Sequence, residues 1–329
     1  MSDIHDVVPS FADGPGTFAE SVRRLHAHQP ALPLPGRGDT LGRWRSLAAI
    51  AAQDVCVVKV LEAHHDAVAI LDELAAPLGQ TGPLHAVWAA EPPDARLEFI
   101  EDGDGHGRLQ GTKAWCSGSD IVEAALVTAH AGASRVLVQV VLDQPAITRA
   151  TDDWHAVGMA RVRSGRVHFD GATGLRIGAP GAYLERPGFW HGGAGIAACW
   201  FGATAAIAET LRTHPRVARD AHAAAHLGAI EAQLAAAAAL LRQTASAIDA
   251  QPDAPHVDAV MRVRSLLERV ASDTMDRVGR ALGPGPLCED AGHAQRCADL
   301  TTFVRQSHAE RDWAALGEAA GARAHGWVL

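Results

Sequence analysis

The sequence predicts an α+β multidomain chain: N-terminal helices, then a central antiparallel β-barrel or sandwich, then a C-terminal four-helix bundle. Three observations carry this reading. Apolar residues recur at helical spacing up to about Leu78, short β-type runs follow without intervening helices, and long helical stripes return after Pro187. The expected boundaries are 1–83 for a short helical domain, 84–186 for the β domain and 187–329 for the bundle.

In the first zone Trp44, Leu47, Ile50, Ala51, Val55, Val58 and Leu61 fall on one helical face, and Ala67 to Leu74 continues it. Pro77, Gly79 and Gly82-Pro83 stop the pattern. The second zone holds Leu97–Ile100, Arg108–Trp115, Ala124–Ala129, Arg135–Leu142 and Arg166–Phe169, separated by turn clusters. Asp102-Gly-Asp-Gly-His-Gly107 lacks the remaining ligands of a calcium loop and reads as a hairpin turn. In the third zone Leu227, Leu234, Leu241 and Ile248 recur every seven residues, with Ile230 on the same face. Val260, Val263, Leu267, Val270, Thr274 and Val278 form a second stripe, Leu300, Phe303 and Val304 a third, and Gly195 to Leu211 a fourth helix.

Composition limits the function. The 329 residues are 48% hydrophobic and 20% charged, enough for a large core and unlike a disordered chain. A net charge of −9, with only Lys59 and Lys113 as lysines, offers no basic track for a nucleic acid. Five scattered cysteines without a CxxC pair argue against a disulfide framework or a structural zinc site. Met1 to Gly16 is acidic and has no apolar core, so no signal peptide is expected. Apolar runs are interrupted before spanning length, so a cytoplasmic location without a membrane is expected. His222 and His226 share a helical face, but without a third ligand they read as an exposed pair.

Several strings, in order, resemble the acyl-CoA dehydrogenase superfamily of flavoproteins. The clearest is Leu109-Gln-Gly-Thr-Lys-Ala-Trp-Cys-Ser-Gly-Ser119. Trp154-His-Ala-Val-Gly-Met159, Ser164-Gly-Arg-Val-His-Phe-Asp-Gly171 and Ala90-Glu91-Pro92 are similar to further motifs of its β domain. In the bundle, Leu282-Gly-Pro-Gly285 stands where the family has a Gly-Gly-x-Gly turn, and Arg296-Cys-Ala-Asp299 matches the helix start that follows. The resemblance covers about Leu41 to Leu316.

It implies a bound FAD. By motif position, Trp115, Cys116 and Ser117 face the isoalloxazine ring, and Trp88, Ala89 and Ala90 line its other edge through backbone groups. Read without the resemblance, Trp88 and Trp115 are core residues of a barrel; the surrounding strings reverse that reading. Gly283 and Gly285 either approach a nucleotide phosphate or only terminate a helix. The residue that usually grips the FAD pyrophosphate has no match near His226-Leu-Gly228.

The implied reaction is α,β-dehydrogenation of an acyl thioester, carried by coenzyme A or an acyl carrier protein, with electron-transfer flavoprotein as acceptor and a homodimer or homotetramer as assembly. The sequence departs from the family at the base. Arg305, Gln306, Ser307 and His308 occupy the usual glutamate region, and the next carboxylate is Glu310. Trp190, His191 and Gly192 occupy the alternative position. His308 is therefore the first candidate base and His191 the second, since neutral imidazole accepts protons near pH 7. His308 could equally be a surface or capping residue. A flavin monooxygenase on this scaffold and a non-catalytic binding or assembly relative are the alternatives.

Overall fold

The computed structural model describes residues 17–29, 31–74, 82–150, 154–324 and 326–327. Met1 to Gly16, Pro77 and Gly79 lie outside the described residues. The chain divides into two compact units, a sheet unit (Met1–Leu34 and Cys56–Phe189) and a bundle unit (Pro35–Val55 and Trp190–Leu329).

Among the described residues the sheet unit carries α1 (Phe18–His28), α3 (Val55–Glu73), the short α4 (Ala182–Glu185) and seven strands: β1 (His85–Trp88), β2 (Leu97–Gly103), β3 (His106–Lys113), β4 (Ala124–Ala131), β5 (Ser134–Val141), β6 (Ile147–Ala150) and β7 (Arg166–Ile177). Pairing runs β1–β4–β2–β3–β7–β5; β5 returns to β4, and β6 adds to β7. The β2–β4 link is a single parallel pair, Glu98 with His130. The sheet is mixed rather than antiparallel, because β1 also runs parallel to β4, Trp88 facing Val127. Strand direction is set by the long connection between β1 and β4, which local alternation in sequence does not reveal.

The Asp102–Gly107 stretch forms the expected hairpin. β2 and β3 meet across Asp104 and Gly105, both at positive φ (51° and 79°), as a two-residue type I′ turn requires. The core lies where Ala67, Ile70 and Leu71 of α3 meet Leu126, Leu137 and Ile177 of β4, β5 and β7. Beside it, four histidines cluster. The His26 and His64 rings are 4.4 Å apart and those of His64 and His65 5.2 Å. His64 Nδ1 accepts the His85 backbone N–H at 3.1 Å, and His85 Nε2 meets Gln139 at 3.1 Å.

The bundle unit holds α2 (Thr40–Gln53), α5 (Gly188–Arg212, whose first two residues belong to the sheet unit), α6 (Ala221–Ala250), α7 (Val257–Leu282), α8 (Gly285–Glu289), α9 (Ala291–Phe303) and α10 (Glu310–Gly321). The continuous first-zone helix expected from Trp44 to Leu61 is broken. Asp54 is extended (φ −148°, ψ 112°), so Trp44, Leu47 and Ile50 pack in the bundle unit while α3 packs in the sheet unit. The α2 N-terminus is held by Asp249 of α6, whose carboxylate accepts the Thr40 N–H at 3.1 Å and its hydroxyl at 2.6 Å. Gly202 lets α5 approach α2 closely, since a Cβ there would lie 2.0 Å from the Ala48 carbonyl oxygen.

All six residues of the expected α7 stripe are buried. On α6 only Ile230, Leu241 and Ile248 of the expected face are buried, together with Ala223, Ala237 and Ala245. A seven-residue repeat drifts around a straight helix of 3.6 residues per turn, which leaves Leu227 and Leu234 half-exposed. The expectation about apolar run length also needs correcting: α5 and α6 are long and apolar enough to cross a membrane by length and composition. The most apolar stretch of α5 is 67% buried, as in a core helix, and α6 owes its mean hydropathy of 1.4 largely to alanine.

Burial pushes the His85 pKa below its ordinary value of 6.5, against the pull of the Pro83 carbonyl and Glu123. The unfolded chain therefore binds the proton more readily. Stability from this group is complete above about pH 6.5 and is lost as pH falls through the lowered folded value. The urea midpoint should drop between about pH 7 and 5, and His85→Gln should flatten that drop; an unchanged slope would exclude His85 as a contributor.

Candidate functional site

The candidate cofactor platform is built where β3 ends. The strand stops at Lys113 rather than continuing to Trp115. Trp115 takes a left-handed backbone (φ 58°), uncommon for a bulky residue, and its indole remains 57% exposed. The next side chain, Cys116, is fully buried; its N–H reaches the Gly165 carbonyl (2.9 Å) and its thiol the Lys113 carbonyl (3.3 Å). Burial pushes that thiol up to about 12, so it is a protonated packing group and not a nucleophile.

The loop is then pinned from three sides. Ser117 and Ser164 share a hydroxyl hydrogen bond of 2.8 Å. The Gly118 N–H reaches the Val162 carbonyl at 2.8 Å, and the Trp88 indole N–H donates to the Ser117 carbonyl at 3.1 Å. Trp88 is thus a core residue (1% exposed) that orients the loop from β1. Ala89 is half-buried and Ala90 exposed immediately after it. Trp154 stands edge-on to Trp115, ring centroids 6.2 Å apart at 88°, and is fixed by its own N–H to the Met159 carbonyl.

Trp88, Ala89, Trp115, Cys116 and Ser117 are therefore brought together at one end of the sheet. Lys113, Thr128, Glu91, Trp154 and Ser164 were not singled out by sequence reasoning as site residues. Lys113, Glu91, Trp154 and Ser164 sit inside strings that carry the resemblance, which was the available signal.

The other candidates lie in the bundle unit. His191, in the first turn of α5, is 3% exposed, and its Nε2 meets the Ala254 carbonyl at 2.9 Å. The His256 ring lies 5.9 Å away. His308 precedes α10 with its side chain 59% exposed, its Nδ1 3.4 Å from the Asp312 carboxylate. The same carboxylate accepts the His308 backbone N–H at 3.3 Å. Ala309 follows at φ 46°, ψ −115°, a region that favours glycine. Gly283 (φ 73°) ends α7, its N–H on the Gly279 carbonyl, and Gly285 starts α8; the space a Cβ would fill is open at both.

No family model matches the sequence, and no curated protein matches it. Solved structures do. FMN-bound TdsC from Paenibacillus sp. A11-2 superposes with a TM-score of 0.80 at 19% identity over 92% of this chain and 90% of that one. Glutaryl-CoA dehydrogenase from Mycobacterium smegmatis in complex with FADH2 gives 0.79 at 13% identity, over 94% and 88%. Butyryl-CoA dehydrogenase from Megasphaera elsdenii gives 0.75 at 16% identity, over 86% and 82%. This chain has the acyl-CoA dehydrogenase fold. The likeness accounts for the succession of helices, sheet and bundle that the sequence shows. Within this acyl-CoA dehydrogenase fold, the string Leu109–Ser119 is the end of β3 and the pinned loop after it.

The strained Ala309 turn gives a direct check. Ala309→Gly removes a left-handed alanine and should raise stability by about 1 kcal/mol, read as a higher denaturant midpoint. A lowered midpoint would show that the turn does not hold this conformation.

Proposed function

We propose that this chain is a flavin-dependent oxidoreductase, with the sheet unit presenting Trp115 to the isoalloxazine ring. The observation that carries the reading is the open Trp115 indole, held outward by backbone strain and three anchoring hydrogen bonds. A flat aromatic face flanked by Trp154 suits a flat heteroaromatic ligand. The residues present fit such a group: Trp115 stacks, Ser117 and the Ala89–Ala90 backbone offer polar contacts, and buried Trp88 and Cys116 exclude water behind them. A bound flavin supplies two-electron redox chemistry. TdsC binds FMN and the M. smegmatis enzyme FADH2, which supports a flavin here, with FAD the form the family resemblance implies.

The first reading of the reaction is α,β-dehydrogenation of an acyl thioester. It adds a demand for a base, and His308, exposed beside the Asp312 carboxylate, is the first candidate for that role. This reading brings with it electron-transfer flavoprotein as acceptor, a homodimer or homotetramer, and a cytoplasmic location. The second reading is a flavin monooxygenase. It is favoured by the lack of a carboxylate from Arg305 to His308 and by the commitment of His191 to the Ala254 carbonyl. TdsC, a dibenzothiophene monooxygenase, has this fold.

Titration of the protein with FAD and with FMN should perturb the visible flavin bands. Trp115→Ala should weaken binding about tenfold, or about 1.4 kcal/mol. Anaerobic acyl-CoA that bleaches the bound flavin supports dehydrogenation, and His308→Ala should slow the bleaching. Flavin that stays oxidised with acyl-CoA, but after reduction supports O₂-dependent product formation, supports the oxygenase. Failure to bind either flavin overturns the proposal.

A further inference from the structure

Lys113 is one of two lysines in the chain, and its side chain is 3% exposed inside the sheet unit. An unpaired ammonium in such a place is costly, so its partners define what it is for. Its Nζ donates to the Thr128 carbonyl and to the Thr128 hydroxyl, both at 2.7 Å. The Thr128 hydroxyl donates in turn to Glu91 Oε1 at 2.9 Å, with the Ala89 carbonyl 3.4 Å away. Glu91 Oε1 lies 3.9 Å from the ammonium. Its other oxygen takes the Arg135 guanidinium at 2.8 Å, with His130 at 3.8 Å.

This chain of contacts joins three pieces of backbone: the end of β3 two residues before Trp115, the middle of β4, and the Ala89–Glu91 segment after β1. The Cys116 thiol adds a return link from the Trp115 loop to the Lys113 carbonyl. We propose that Lys113 is a positioning residue for the Trp115 platform, holding the Ala89–Glu91 edge and the β3 end in one geometry through Thr128 and Glu91. The proposal rests on the flavin reading for its purpose, but the mechanical coupling stands on the sheet unit alone.

The network also makes the platform responsive to alkali. Burial pushes the Lys113 ammonium down to about 8; Glu91 pulls it back up and Arg135 pushes it further down. Above that value the amine is neutral, its attraction to Glu91 is gone, and the Thr128 hydroxyl loses a charged donor. Among the described groups around it, Glu91, Arg135, His130 and Cys116 are those that face this change.

The test reads Trp115 emission, taken as the difference between each protein and its Trp115→Phe counterpart, without flavin, from about pH 7 to 10. Wild type should show a transition centred near pH 8, and Lys113→Met should show none, lying at the alkaline value throughout. A wild-type signal flat across this range, or the same transition in Lys113→Met, overturns the proposal. At pH 7, Thr128→Val should raise the FMN dissociation constant about tenfold and Thr128→Ser should restore it. Equal FMN affinity in Thr128→Val and wild type overturns it as well, and this pair serves if Lys113→Met does not fold. If wild type binds no flavin, the flavin reading fails and the emission titration alone decides the role of Lys113.

Discussion

The left-handed backbone of Trp115 is the constraint on which the candidate site depends. A β-strand alternates its side chains, and Lys113 and Trp115 would ordinarily share a face. The chain leaves the strand at Lys113 instead, so the ammonium stays inside, the indole turns out and Cys116 turns in. A left-handed non-glycine residue costs about 1–2 kcal/mol, which the surrounding bonds to Gly165, Val162, Trp88 and Ser164 can offset at about 1 kcal/mol each. Glycine would make the same turn without strain but would supply no aromatic face. The strain is the cost of putting an indole at that point.

Behind the platform, the stability of the sheet unit is tied to charge. Lys113 is held inside by a carboxylate that is itself only partly buried, so solvent access to Glu91 and Arg135 links the interior to the surface. In the histidine cluster between α1, α3 and β1, burial lowers the His85 pKa, and the His85 backbone N–H is accepted by His64 Nδ1. Acid acts on the start of β1 and alkali on the end of β3. Both strands lead directly into the residues that frame Trp115.

Much of this was legible in the sequence, for identifiable reasons. The α7 stripe could be read because every third or fourth residue carries the signal, and all of it is buried. The α6 stripe misled because alanine supplies much of its buried face and leucine at seven-residue spacing rotates off it. Strands β1 and β6, four residues each, are too short to show alternation, and the parallel β1–β4 pairing depends on contacts far apart in sequence. The break at Asp54 was hidden because apolar residues continue through it while their packing partners change. In the site, Trp115, Cys116 and Ser117 were found through an ordered string. Lys113, Thr128 and Glu91 are isolated residues in three segments and only folding makes them one network. Lys113 and Glu91 sit inside strings that carry the resemblance, whereas Thr128 left no trace in the sequence.

We propose that a flavin ring rests on the exposed Trp115 face. A crystal structure of the protein soaked with FMN tests it most directly. The expected result is an isoalloxazine ring in van der Waals contact with the Trp115 indole, beside Ser117 and the Ala89–Ala90 backbone. A flavin bound elsewhere with Trp115 unoccupied, or no flavin at saturating concentration, would contradict it.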